Sequence, residues 1–475
     1  MRKPLALMAF LASTTATGAF AQSGEDDCTA LGTTIIESGY VHAAQVIADD
    51  GEHAPYCKVR ATALPAINIE VRLPMEGWNG KYYQAGCGGF CGILGRADAS
   101  PGWVNAMRPG LARGYATATS DSGHHGLSVV DAGWADSNPN AERDWGYRSI
   151  EETSRVARAM IEAFYGEAPG DAIFQGCSTG GRMAHMAAER YPEMFQGIIS
   201  GAPAMNYTDL VGTAMSFFMQ ANTGPDGEQI LKPEKVSLVQ AAVMAQCDGA
   251  DGTEDGLIDD PRACEVDLTE LSCSEEGGDC LTADEIGVID AWRQGPVNDA
   301  GDQLYPGGIP EGSEPFWALW LTGMEGGGGK LVNAFATGFG QYMAFADDPG
   351  AGWTPQDFDL ESDPGRMEQA AALYNADDPD ISAFREAGGK MIVWHGWADP
   401  IVTPYKTVEW YEAAAEAAGG EETLRENVAL FMVPGVDHCG IQEGPSGITA
   451  ADLDPMTPLE AWMAEGTAPQ SIMAE

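Results

Sequence analysis

The chain has 475 residues, ten of them cysteine, and a formal net charge of −46 from 25 basic against 71 acidic side chains. A surface this acidic repels phosphate backbones and anionic lipid, so neither nucleic acid nor a membrane is expected as a partner. The length exceeds the roughly 250–300 residues at which a single core stops growing, which points to two domains or one domain with a large insertion.

Arg2 and Lys3 precede an apolar run from Leu5 to Leu11, and small residues end in Ala19-Phe20-Ala21 before an acidic stretch. This is the layout of a cleavable secretory signal over residues 1–21, and its apolar run is far short of the roughly 20 residues that span a bilayer. The mature chain, 454 residues with a net charge of −48, is expected in the periplasm or outside the cell. An even number of cysteines in an exported chain favours disulfides over zinc or thiol chemistry.

Trp78-Asn79-Gly80 is a tight-turn signal between two extended segments. Short apolar runs bounded by glycines read as buried strands at Lys81–Ala85, Tyr115–Thr119, Ala172–Gln175, Gly197–Ser200, Met391–Trp394 and Val428–Val433. Helical spacing is clearest at Tyr147–Phe164 and Gly181–Glu189. Strands alternating with helices imply an α/β fold with a mostly parallel sheet covered on both faces. The alternation breaks from about Pro203 to Ala376, which is rich in Gly, Asp and Pro, and sheet-like runs resume at Lys390. One α/β core, residues 22–202 and 376–475, is therefore expected to carry a lid inserted at residues 203–375.

Gly176-Cys177-Ser178-Thr179-Gly180 fits G-x-S-x-G, the elbow that lifts a nucleophilic serine between a strand and a helix. The helix that follows turns its unpaired amides and positive end toward any oxyanion formed there. A serine nucleophile needs a base, and the base needs an orienting acid. In the α/β-hydrolase order both follow the serine, acid first. Among seven histidines, His42 and His53 lie before the core sheet, His124 and His125 precede the serine, and His185 reads as a packed helix residue. His438, in VPGVDHCG, follows the last strong strand and is the expected general acid/base. Asp437 adjoins it, but side chains of sequence neighbours diverge. Asp399, in HGWADP, stands at the right point in the order and is the expected orienter, with His395 shaping its turn. Cys177 precedes the nucleophile and Cys439 follows the base. If Ser178 and His438 meet, a disulfide between these two comes within reach and ties loops 262 residues apart.

Together, "LPMEGWNGKYYQAGCGGFCG", "GCSTGGR", "DGADGTEDGLIDDPRAC", "VWHGWADP" and "GVDHCG" resemble the tannase and feruloyl esterase family of α/β-hydrolases, which includes mono(hydroxyethyl) terephthalate hydrolases. The resemblance covers most of the mature chain. It implies an α/β-hydrolase core with an inserted lid, a Cys177–Cys439 disulfide, and a secreted serine esterase. The implied substrates are small aromatic esters, those of phenolic acids such as ferulate or gallate, cleaved through an acyl-serine. Another carboxylesterase or acyltransferase, a terephthalate monoester hydrolase among them, and a non-catalytic calcium-binding member stay open as alternatives.

Carboxylates recur on the glycine-rich loop Asp248–Leu257, and hard oxygen donors on a flexible loop suit Ca²⁺. The loop is not an EF-hand, because Ala250 or Arg262 falls where a ligand belongs, depending on the starting aspartate. The resemblance implies a structural calcium held by Asp248, Asp251 and Asp255 with the carbonyls of Thr253 and Leu257, on a loop closed by Cys247–Cys264. The other cysteines are expected to pair as Cys28–Cys57, Cys87–Cys91 and Cys273–Cys280, although sequence alone does not fix connectivity. The glycine-rich loop AGCGGFCG offers a backbone amide to the oxyanion beside that of Thr179. Gly88 is favoured, with Cys87 and Gly89 as alternatives.

The lid segment holds Phe316, Trp317, Trp320, Phe335, Phe339, Tyr342 and Phe345, either to grip an aromatic acyl group or to form the lid's own core. Between Arg293 and Arg366 the only basic residue is Lys330, which favours a neutral phenolic ester over a substrate with a free carboxylate.

Overall fold

The computed structural model describes residues 17–49, 51, 54–94, 104–273, 280–324 and 327–474. His53 and residues 1–16 of the expected signal lie outside the described residues. Nine strands form one sheet: β1 (Gly39–Ile47), β2 (Tyr56–Ala63), β3 (Ile67–Pro74), β4 (Tyr82–Ala85), β5 (Ala116–Ser120), β6 (Ala172–Cys177), β7 (Gly197–Gly201), β8 (Lys390–Gly396) and β9 (Val428–Val433). Their order across the sheet is β1-β2-β3-β5-β4-β6-β7-β8-β9. From β5 through β9 every pairing is parallel. The six strands expected from apolar runs fall in this half, their ends within two residues of the expected bounds. They are legible because both faces are covered: every residue of β6, Ala-Ile-Phe-Gln-Gly-Cys, is buried.

The other end of the sheet differs from expectation. β1, β2 and β3 form an antiparallel meander, and β3 joins the rest by pairing antiparallel with β5. His42, expected ahead of the sheet, stands within β1. Charged residues hide these strands from an apolar-run search, because Glu70 is buried between Arg60 and Arg72, the latter donating to it at 2.7 Å. The Trp78-Asn79-Gly80 turn does connect extended segments, yet β5 lies between β3 and β4, so it closes no hairpin. Trp78 stacks on Tyr165 at a centroid distance of 3.9 Å.

A helix over Ser149–Tyr165 packs against β3 and β5 and stops at Gly166, whose φ of +78° ends it in the left-handed conformation. A second over Thr179–Arg190 follows β6 without a linker beyond Ser178. The chain leaves the sheet after β7 and returns at β8, and these strands are direct neighbours. The segment between them buries its own aromatic core, including Trp292, Trp317 and Phe339. All ten cysteines are bonded, as Cys28–Cys57, Cys87–Cys91, Cys177–Cys439, Cys247–Cys264 and Cys273–Cys280. Among the described residues no helix is long and apolar enough to cross a membrane.

Candidate active site

Ser178, Asp399 and His438 each follow the carboxyl end of a parallel strand, β6, β8 and β9 respectively, where open α/β sheets place their sites. Ser178 sits at φ 63°, ψ −124°, a conformation that costs a non-glycine residue about 1–3 kcal/mol. Neighbouring contacts hold it there. Its amide donates to Gly201 O at 3.0 Å, and its carbonyl accepts from Arg182 and Ala204. The bend is tight enough that a Cβ on Gly181 would stand 2.4 Å from Gly201 O. The serine remains partly exposed, and among the described residues its hydroxyl has no hydrogen-bond partner.

Asp399 is completely buried. One carboxylate oxygen accepts the amides of Ile401 and Val402 at 3.0 Å each. The other meets His438 Nδ1 at 2.6 Å and His395 Nε2 at 3.1 Å. Burial alone would raise this carboxyl, but the charge and hydrogen bond of His438 with the hydrogen bond of His395 hold it at about 2. His395, expected as a structural residue of the turn, also meets Val402 O and Thr407 Oγ1, both at 2.8 Å. It therefore fixes the carboxylate that fixes His438. With Nδ1 committed to Asp399, His438 keeps Nε2 free to exchange a proton.

Asp437 takes no part in this chain. Its carboxylate accepts the amide and side chain of Gln442, and burial pushes it up to about 7. His185 is packed against Trp410 at 4.4 Å, and burial holds it neutral, down at about 3.

No hydrogen bond joins Ser178 to His438 among the described residues; the disulfide between their neighbours links them instead. Cys177 and Cys439 have Cα atoms 6.0 Å apart, and Cys439 Sγ lies 3.8 Å from His438 Nε2. Cys439 is itself left-handed, at φ 59°. The β8 and β9 loops also approach closely, since a Cβ on Gly396 would stand 2.1 Å from Val436 O. Catalytic hydrogen bonds are often long before substrate binds.

The glycine-rich loop after β4 lies on the elbow, with Cys87 O 2.8 Å from where a Cβ on Gly180 would be. The amides of Gly86, Phe90 and Cys91 are occupied by Gln175, Val129 and Gly88 carbonyls. Those of Cys87, Gly88 and Gly89 carry no hydrogen bond among the described residues, so all three remain open as oxyanion donors beside Thr179.

Of the seven aromatic residues singled out in the insertion, Trp320 lies against His438 and Phe335 against the glycine-rich loop; Tyr207 of the same insertion packs on Phe90, and Phe316 meets Gly444 beyond β9. Trp320, on a π-helical turn over Ala318–Thr322, meets the His438 ring edge-on at 5.5 Å, and its buried indole nitrogen has no hydrogen-bond partner among the described residues. Phe335 packs on Phe90 at 5.4 Å and covers Gly89. The sequence singled out both residues but not the contact with His438. Trp317 packs on Trp292, Phe339 on Tyr207 and Phe345 on Trp353, which is core packing. Lys330 is exposed, Arg293 is paired with Glu311 and Glu314, and Arg366 with Asp363.

In the acidic loop, Asp248 accepts the amides of Asp255 and Gly256, Asp251 that of Thr253, and Asp255 that of Leu257. Each carboxylate thus uses one oxygen to fold the loop and keeps another. Desolvation and the facing carboxylates of Asp251 and Asp255 raise Asp259. These hard donors fit calcium in kind. Among the described residues no three His, Cys, Asp or Glu side chains are gathered as a metal site, so the loop would have to draw together around an ion.

The profile described as "Tannase and feruloyl esterase" matches residues 48–475. The chain belongs to the tannase and feruloyl esterase family. An uncharacterised esterase of Xanthomonas campestris pv. campestris is 34% identical over 93% of this chain and 82% of its own length. The mono(2-hydroxyethyl) terephthalate hydrolase of Piscinibacter sakaiensis is 29% identical, over 86% and 74%. The crystal structure of feruloyl esterase B from Aspergillus oryzae superposes with a TM-score of 0.80 at 21% identity, over 94% of this chain and 92% of that one, and shares the α/β-hydrolase fold. The chain is a carboxylic ester hydrolase.

Asp399→Asn should lower kcat about 10⁴-fold, the scale of losing an orienting carboxylate. Because the buried carboxyl lies below its ordinary value, the stability it adds is present above about pH 4 and is lost as pH falls toward 2. Urea melts should show wild type losing about 2 kcal/mol more than the variant across that window.

Proposed function

We propose that this enzyme is an exported serine esterase that cleaves esters of neutral phenolic acids, with Ser178 as nucleophile, His438 as general acid/base and Asp399 as orienter. The observation that carries the reading is the buried Asp399–His438 pair, bonded through Cys439 to the residue beside Ser178, with Trp320 edge-on to the same imidazole. Ser178 Oγ attacks the ester carbonyl while His438 Nε2 takes its proton. The Thr179 amide and one amide of Cys87–Gly89 receive the oxyanion. His438 returns the proton to the leaving alkoxide, and water repeats the sequence to release the acid.

Trp320 against His438 and Phe335 against Phe90 support a lid, residues 203–375, that meets an aromatic acyl group. The engaged arginines and the exposed Lys330 favour a neutral ring over a terephthalate monoester. Export is supported by residues 1–21 and by five disulfides. A structural Ca²⁺ on Asp248, Asp251 and Asp255 with the carbonyls of Thr253 and Leu257 is likewise proposed, on the donor types and the Cys247–Cys264 closure; it would cross-link the loop and supply no step of the reaction.

Product analysis with methyl ferulate, methyl gallate, mono(hydroxyethyl) terephthalate and p-nitrophenyl butyrate tests the substrate. Methyl ferulate or methyl gallate should turn over fastest, with all activity lost in Ser178→Ala; turnover of the butyrate alone would reject the aromatic reading. For the metal, chelation should lower Tm by several degrees and calcium, but not magnesium, should restore it. An unchanged Tm would remove calcium from the account.

A further inference from the structure

The elbow motif ends in Arg182, one helical turn beyond Ser178. Its side chain is completely buried. Nη1 donates to Gly146 O and Tyr374 O at 2.9 Å, and Nη2 to Trp145 O at 3.1 Å. The guanidinium lies over the rings of Trp145 at 4.1 Å and Tyr207 at 5.6 Å. Tyr207 also packs on Phe90 of the glycine-rich loop beside the elbow. Among the described residues no carboxylate forms an ion pair with Arg182, Glu189 acting on it only at longer range, and its Nε is buried without a partner. Burial lowers it only to about 10, so it stays charged at neutral pH.

A buried cation with no counter-ion is expensive, and a neutral side chain of similar volume would pack the same space at less cost. Arg182 belongs to the first turn of the Thr179–Arg190 helix, whose start presents positive partial charge to the elbow. The balancing negative charge comes with the reaction: attack by Ser178 forms the Oγ–C bond, sends the carbonyl electron pair to oxygen and hands the serine proton to His438. We infer that Arg182 is a positioning residue whose buried, unpaired charge favours the oxyanion formed on attack by Ser178. The inference rests on Ser178 being the nucleophile, but not on an aromatic substrate.

The test compares wild type with Arg182→Met and Arg182→Lys, on p-nitrophenyl butyrate. Titration with a fluorophosphonate first counts active sites, and phenylboronic acid, which forms a tetrahedral anion on a serine, reports oxyanion binding. Arg182→Met should lower kcat per active site about tenfold, the scale of one charge acting on the oxyanion without contact. KM should stay within twofold, and boronate affinity should fall by a similar factor. Arg182→Lys should recover most of both. Equal losses in Met and Lys, or fewer active sites with kcat per site and boronate affinity unchanged, would make the role structural and overturn the inference. If Arg182→Met does not fold, boronate affinity of Arg182→Lys against Arg182→Gln decides in the same way. No labelling of wild type would instead remove the nucleophile, a distinguishable failure.

Discussion

The disulfide between Cys177 and Cys439 is the constraint on which the site depends. It joins the elbow after β6 to the loop after β9 across 262 residues, most of them outside the sheet. Loop closure on that scale is worth roughly 5 kcal/mol in the chain-entropy account, an upper figure because four other disulfides already restrict the unfolded chain. The local consequence matters more. Ser178 and Cys439 both hold left-handed backbone conformations, and each is next to a bonded or bonding partner that limits its relaxation. The elbow that carries Ser178 and the loop that carries His438 are therefore tied to one another independently of the segment between β7 and β8.

Electrostatics build on that frame. A chain with a net charge of −46 nevertheless gathers positive character behind the elbow: the start of the Thr179–Arg190 helix, the open amides of Cys87, Gly88 and Gly89, and the buried guanidinium of Arg182. On the opposite side Asp399 is ionised in a dry environment because two histidines and two amides share it. In the proposed reaction, charge developing on the substrate oxygen and on His438 would find prearranged partners on both sides, which is how a water-excluded site lowers a barrier.

Much of this was readable in the sequence because it follows strand-end logic. Buried parallel strands are continuous apolar runs, so β4–β9 stand out, and the proposed triad, Ser178, Asp399 and His438, sits where those runs end. Asp399 could be preferred over Asp437 on direction alone, and the structure gives Asp437 to Gln442. The antiparallel meander was not readable. Its strands carry Lys58, Arg60, Glu70 and Arg72, and the ion pairs that make such charges acceptable inside a sheet belong to tertiary structure. The seven aromatics singled out in the insertion looked alike as sequence, because the contact of Trp320 with His438 depends on the π-turn at Ala318–Thr322. The choice among Cys87, Gly88 and Gly89 stays open for a related reason: amide direction is a property of the turn, not of the residue type.

The most direct measurement is the kinetics of a Cys177→Ala, Cys439→Ala double variant, run at a temperature where circular dichroism shows it folded. If the disulfide holds base and nucleophile in register, kcat should fall at least tenfold with KM nearly unchanged, and fluorophosphonate labelling of Ser178 should slow in proportion. A folded variant with wild-type kcat and labelling rate would show that the register is set elsewhere and would contradict the account.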